Sequence, residues 1–251
     1  LVLFPDDNDL KLITTLTERL RILESMGLDQ VVVLPFTKEI SRIRSEEYVR
    51  NVLVNHLKVN TFVIGYDHRF GRNREGSIED LERMSELYEF GLQEIPRQDL
   101  EESAISSSKI RRALECGDVS TAARFLGRNF DIVGTVVHGR KKGSELGYPT
   151  ANLKVEEEYK LVPANGVYAV KVEYNNQQYG GMLNIGDNPT FEEARWSIEV
   201  NIFEFNEEIY GQQLRISFVE RMRNEVKFVE IKGLKKQLDV DKAMALSILK
   251  Q

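Results

Sequence analysis

Between Gly139 and Asn152 a basic, glycine-punctuated run leads into a hydroxyl and an amide: Gly139-Arg140-Lys141-Lys142-Gly143-Ser144-Glu145-Leu146-Gly147-Tyr148-Pro149-Thr150-Ala151-Asn152. Gly139, Gly143 and Gly147 let backbone approach a ligand closely, with N–H groups free to point at anionic oxygens. Arg140, Lys141 and Lys142 add positive charge at that point. In an extended segment Thr150 and Asn152 face the same side. A hydroxyl and an amide carbonyl are hard oxygen ligands, suited to a Mg²⁺ ion that also holds phosphates. The same residues also fit a solvated basic turn followed by a capping threonine.

Two further stretches carry polar chemistry. In Ile105-Ser106-Ser107-Ser108-Lys109-Ile110-Arg111 three serines open a helix, so free N–H groups, hydroxyls, the helix dipole and Arg111 converge on a point that suits phosphate. An ordinary serine cap with a surface arginine is the plainer alternative. In Ser197-Ile198-Glu199-Val200-Asn201-Ile202 the apolar residues share one face of a strand, and Ser197, Glu199 and Asn201 share the other. By pattern alone, Glu199 also fits a half-exposed strand with its carboxylate in solvent.

The elements that must position these groups fall into two textures. The first half alternates strand and helix. Leu1–Phe4, Gln30–Pro35, Thr61–Gly65 and Leu92–Pro96 are predicted strands. Helices are predicted from the Thr15-x-x-Glu18 capping box to Gly27, with Leu16, Leu20 and Leu23 on one face, from Ser45 to about His56, and from Ser77 to Phe90. This alternation implies a doubly wound parallel sheet of Rossmann type, with ligands at the carboxyl ends of the strands. Gly117-Asp118 ends one helix and caps the next, which stops at Gly127.

From Phe130 strand-like alternation takes over: 132–137, 166–174, 178–185, 197–205 and 214–223. Asn175-Asn176 makes a tight hairpin turn. Such spacing predicts a small antiparallel barrel. The tail from Val229 is a helix whose stripe of Leu234, Leu238, Ala243, Leu246 and Leu249 packs on it. The expected domains are residues 1–127 and 128–251.

With 40 acidic residues against 34 Lys and Arg, the balance argues against general binding to nucleic acid or an anionic membrane. The single cysteine, Cys116, cannot form an internal disulfide and points to a reducing, cytoplasmic setting. No run is long and apolar enough for a membrane span. Three histidines make a multi-histidine metal site a poor expectation. A monomer is the default. The chain begins without Met inside an apolar run, so a preceding segment is expected.

The string Gly147-Tyr148-Pro149-Thr150-Ala151-Asn152 matches the G-x-P-T-A-N motif of riboflavin kinases, and the chain as a whole resembles the prokaryotic bifunctional riboflavin kinase/FAD synthetase family. Ile-Ser-Ser-Ser-Lys-Ile-Arg is similar to the family's I-S-S-T-x-I-R, with Ser108 in place of Thr. Gly65-Tyr66-Asp67-His68-Arg69-Phe70-Gly71 is similar to G-x-D-F-R-F-G, with His68 replacing an aromatic. Residues 184–191 resemble an N-x-G-x-x-P-T-F turn, and 221–228 the R-x-E-x-K-F segment.

The resemblance implies a Rossmann-like nucleotidyltransferase domain, missing its start, followed by a small barrel kinase with a C-terminal helix. It implies phosphorylation of riboflavin to FMN with MgATP by the barrel, and adenylylation of FMN to FAD by the first domain. Glu199 takes the place of the catalytic carboxylate, with Thr150 and Asn152 on the metal. Gly139, Arg140, Lys141, Gly143, Gly147 and Pro149 line the kinase phosphate loop, and Arg221, Phe228 and Asn184 meet the flavin. Ser107, Ser108 and Arg111 hold the phosphates of the second ATP, with Asp67 and Phe70 near nucleotide or flavin. The adenylyltransferase H-x-G-H motif does not occur in these 251 residues, and the resemblance places it upstream. Two rival readings are a kinase with a non-catalytic scaffold domain and a flavin-binding regulator without catalysis.

Overall fold

The computed structural model describes residues 10–65, 68–96, 99–100, 103–139, 142–187 and 196–250. The expected strand Leu1–Phe4 lies outside them. By packing, the described chain divides into two compact units, one over Leu23–Ala104 and one combining Leu10–Ile22 with Ile105–Gln251. Helices 107–115 and 119–126 therefore pack with the barrel rather than with the residues preceding them in the chain.

Helix α1 (Leu16–Ser25) begins at the anticipated box. The Thr15 N–H donates to Glu18 Oε2 at 2.9 Å, and the Glu18 N–H donates to Thr15 Oγ1 at 3.2 Å. Its buried residue is Glu18, while Leu16 is exposed, so the leucine stripe does not define the inner face. A charged partner on the barrel, met below, draws Glu18 inward.

In the first unit α2 (Ser45–Tyr48) runs on into a π-helical stretch over Val49–His56. Then β1 (Thr61–Gly65), α3 (Ile78–Tyr88) and β2 (Gly91–Ile95) form a β-α-β unit with parallel strands, Thr61 opposite Gly91 and Gly65 opposite Ile95. Ser77 caps α3: its N–H donates to Asp80 Oδ2 at 3.0 Å, and its hydroxyl oxygen accepts from the Asp80 N–H. Val49, Leu53, Ile64, Phe70, Leu81 and Phe90 are the core. The run Gln30–Pro35 forms no strand: Val32 is 63% and Val33 48% exposed. A β-branched run is suited to a ladder, but among the described residues β1 pairs with β2 and no strand edge takes 30–35. Two-residue strands β3 (Asp99–Leu100) and β4 (Ser103–Ala104) pair antiparallel.

The second unit opens with α4 (Ser107–Glu115) and α5 (Val119–Leu126). Asp118 Oδ1 caps α5 by accepting from the Thr121 N–H at 2.9 Å. The chain then enters β5 (Phe130–Val137), a single helical turn α6 (Lys142–Glu145), β6 (Ala151–Lys154), β7 (Gly166–Tyr174), β8 (Gln177–Gly186), β9 (Ser197–Ile202) and β10 (Gln213–Arg223). These strands close a barrel in the order β10-β5-β6-β9-β8-β7, every neighbouring pair antiparallel. Closure leaves no exposed strand edge. Phe130, Ile132, Leu183, Ile185, Ile198 and Phe218 fill the interior. Asn175 and Asn176, both at positive φ, turn β7 into β8 as anticipated.

Helix α7 (Ile231–Leu249) lies across the outer face of β7, β8 and β10. Its inward residues are Leu238, Asp241, Ala245, Ile248 and Leu249, whereas Ala243 and Leu246 face solvent. The predicted stripe is thus rotated. The cause is Asp241, 1% exposed, which receives Arg223 of β10 through Nε at 2.9 Å and Nη2 at 2.6 Å. A buried carboxylate held by such a fork needs no apolar neighbour in its place.

Candidate active site

On the outer face of the barrel three polar residues stand in one row across adjacent strands. Asn152 on β6 is opposite Glu199 on β9, and Glu199 is opposite Asn184 on β8. Period two sends Ile198 and Val200 into the core and leaves Glu199 half-buried on the outside. Both carboxylate oxygens are oriented. The Thr150 hydroxyl donates to Oε2 at 3.2 Å, and the Ser197 hydroxyl donates to Oε1 at 3.1 Å. Thr150, Asn152 and Glu199 are therefore brought together.

The loop before Thr150 is braced by its own chain. The N–H groups of Leu146, Gly147 and Tyr148 donate to Gly143 O, Ser144 O and Gly143 O. These amides are taken, so the expectation of free N–H groups facing a ligand does not hold for them; α6 consumes them in a helical turn. Gly139 has a different reason to be glycine. A Cβ there would come within 2.0 Å of Asn152 Nδ2, so the missing side chain is the space that Asn152 occupies. Gly147 turns the chain at φ +86°. Tyr148 is buried among Ala169, Met182, Phe203 and Ala245, and its hydroxyl donates to Asp239 on α7. The Pro149 carbonyl accepts from Asn201 Nδ2 at 2.7 Å. Arg140 and Lys141 lie outside the described residues.

Asn184, a flavin candidate, donates through Nδ2 to Glu225 Oε1 at 2.9 Å, and the Asp187 N–H donates to Glu225 Oε2 at 3.3 Å. The strip beyond β10 is thereby tied beside the row. Phe228 is half-buried over Gly233 at the start of α7. Arg221 is not brought to Glu199. It sits on β10, three strands away in either direction, and its Nη2 donates to Asn165 O at 2.5 Å. A pocket of about 390 Å³ borders the row at Asn152 and Ser197, with Lys154, Lys160 and Trp196 in its wall.

The second set of candidates divides between the units. Ser106 is the cap of α4, accepting from the Lys109 N–H at 3.3 Å, which leaves Ser107 and Ser108 exposed in the first turn. Arg111 Nε donates to Lys11 O at 2.9 Å. Phe70, in the first unit, is a core residue packed on Tyr48. Asp67 and the turn from Asn188 to Phe191 lie outside the described residues.

Asn201, Ser197, Tyr148 with Asp239, and Glu225 were not among the predicted site residues. Asn201 and Ser197 were visible in the alternation that exposes Glu199. The α7 and Glu225 contacts join segments 38 or more positions apart and have no local signal.

Among the described residues no three His, Cys, Asp or Glu side chains cluster as a metal-ligand group. The donors that meet between β6 and β9 are the Thr150 hydroxyl, the Asn152 amide and the Glu199 carboxylate. That set fits a cation held chiefly by phosphate oxygens and water, as Mg²⁺ is in phosphoryl-transfer sites.

A two-unit chain whose carboxylate stands beside a hydroxyl and an amide on a closed barrel belongs to the class defined by two family models. "Riboflavin kinase" matches residues 126–249, and "FAD synthetase" matches residues 1–109. The bifunctional riboflavin kinase/FMN adenylyltransferase of Bacillus subtilis is 36% identical over 98% of this chain and 78% of its own length. That of Listeria monocytogenes is 38% identical over 92% and 73%. The chain belongs to the bifunctional riboflavin kinase/FMN adenylyltransferase family. A crystal structure named as a macrolide-efflux protein from Streptococcus pneumoniae is also similar, with a TM-score of 0.83 and 33% identity over 93% of this chain and 75% of that one. Among the described residues no helix is long and apolar enough to cross a membrane.

Proposed function

We propose that the row on β6 and β9 is the centre at which this chain phosphorylates riboflavin to FMN, with Glu199 as general base. The observation that carries it is the Thr150 hydroxyl 3.2 Å from a Glu199 carboxylate that stands opposite Asn152. The terminal ribityl hydroxyl of riboflavin attacks the γ-phosphorus of ATP. A new O–P bond forms, the bond to the β–γ bridging oxygen breaks, and ADP leaves. The alcohol proton passes to a Glu199 oxygen and then to water. Ser197 and Thr150 hold that carboxylate so that an oxygen stays directed at the incoming alcohol. Mg²⁺, held by Thr150 Oγ1 and the Asn152 amide oxygen, would supply charge neutralisation at the transferring phosphoryl group.

The same chain adenylylates FMN, whose phosphate attacks the α-phosphorus of a second ATP to give FAD and pyrophosphate. The family match over residues 1–109 supports this activity rather than an inert scaffold. The exposed Ser107 and Ser108 at the start of α4, with Arg111 one turn on, are the phosphate-holding part of that site. One free cysteine, Cys116, suits the cytoplasm, where both products are made.

The test is a product assay. Riboflavin, ATP and Mg²⁺ are incubated with the protein, and riboflavin, FMN and FAD are separated by chromatography. FMN formation that Glu199→Gln lowers by about 10²-fold or more supports the kinase centre. No FMN from folded protein, or full activity in Glu199→Gln, overturns it.

A further inference from the structure

β9 carries more of the kinase centre than its carboxylate. Asn201 lies two residues beyond Glu199 and so on the same outer face, yet it is only 7% exposed where Glu199 is half-buried. Its Nδ2 donates to the Pro149 carbonyl at 2.7 Å. That carbonyl belongs to the peptide linking Pro149 to Thr150, so the bond fixes the plane from which Thr150 departs. Pro149 has no N–H and an exposed ring, so beyond the buried Tyr148 before it the hold on this peptide comes from its own carbonyl. One strand thus sets two things at once: the Glu199 carboxylate directly, and through Asn201 the hydroxyl that meets it.

We infer that Asn201 is a positioning residue for the phosphoryl-transfer reaction, its buried amide holding the Pro149 carbonyl so that Thr150 is presented to Glu199. The inference rests on the reading of Glu199 and Thr150 given above. Asn201 touches neither substrate nor metal in this role. Its effect passes entirely through the Pro149–Thr150 peptide.

Asn201→Leu keeps the branching and the number of side-chain heavy atoms, adds some bulk, and removes the donor. The expected result is a kcat lowered about tenfold to a hundredfold, the scale of a misplaced reacting group. The Mg²⁺ concentration for half-maximal rate rises, while KM for riboflavin stays within about twofold. Asn201→Ala, whose smaller side chain admits a water to the carbonyl, guards against a folding defect and is expected to show the same split. Thermal unfolding reports that each variant is folded.

A double-mutant cycle makes the role decisive. If Asn201 acts through Thr150, Asn201→Leu costs under about twofold further in a Thr150→Val background. Full multiplication of the two losses overturns the inference. So does a wild-type kcat in folded Asn201→Leu and Asn201→Ala. The failure of the site reading looks different, because then Thr150→Val and Glu199→Gln themselves keep full activity.

Discussion

Glu18 and Lys160 stand 142 positions apart in the chain and meet as an ion pair, Oε2 to Nζ 2.5 Å, with side chains 6% and 1% exposed. The ammonium also donates to Ile13 O at 2.8 Å and lies 4.5 Å from the Phe130 ring centroid. Burial pulls the Lys160 ammonium below its ordinary pKa, and the Glu18 charge opposes that pull. Segment Leu10–Ile22 is therefore a working part of the barrel unit. Removing one partner of such a pair strands a buried charge and costs about 3–5 kcal/mol, while replacing both by apolar groups costs far less.

Glu18→Ala is accordingly expected to lower the urea midpoint of the barrel strongly, and Glu18→Leu with Lys160→Met to recover most of the loss. Trp196, the one tryptophan, reports from this unit through fluorescence. Unchanged midpoints in Glu18→Ala would mean that the pair carries no net stability.

Glu199→Gln keeps the shape, its amide nitrogen donating to one of the two hydroxyls in place of an accepting oxygen, but cannot accept a proton at pH 7. Its kcat for FMN formation is expected to fall by about 10²–10⁴-fold, with KM for riboflavin changed only a few-fold. Chelation of divalent metal should abolish the remaining rate, and added Mg²⁺ should restore it. Initial rates from the chromatographic assay decide both points.

Gly139 and Gly147 make a contrasting pair. Gly139→Ala places a Cβ on the Asn152 amide, which has to move, so kcat falls by about tenfold or more while stability changes little. At Gly147 a Cβ meets nothing within 4 Å, but φ is +86°. There alanine costs about 1–2 kcal/mol in backbone strain and leaves the catalytic row in place. Measuring kcat and the urea midpoint for both variants separates the two reasons for glycine. Identical profiles would refute the distinction.

What the sequence revealed was local. The Thr15–Glu18 and Ser77–Asp80 boxes, the Asp118 cap, the Asn175-Asn176 turn and the alternation around Glu199 each depend on residues within a few positions, and each appears in the structure. What it hid depends on pairing. Gln30–Pro35 has the composition of a strand, but a ladder needs an edge to join. The inward face of α7 turns on Asp241 because Arg223 arrives from β10. Glu199 was recognisable only by resemblance: Ser197 orients one oxygen locally, but the hydroxyl on the other, Thr150, comes from 49 positions earlier.

The last prediction concerns how α7 holds the loop before Thr150. Tyr148 is buried and donates to Asp239, and burial first, then that hydrogen bond and the charges of Asp239 and Asp241, push its phenol up to about 12. In the unfolded chain a phenol titrates near its ordinary value of about 10. Between these two values the unfolded state loses a proton that the folded state keeps. The Tyr148 contribution is thus fully present below about pH 10 and is lost as pH rises toward 12. Tyr148→Phe should cost about 1 kcal/mol at pH 8 through the missing hydrogen bond. It should also flatten the fall in stability above pH 10, because the titrating group is gone. Urea midpoints at pH 8, 10 and 11 for both proteins test this. Parallel alkaline slopes would show that Tyr148 is not the group that ties α7 to the site.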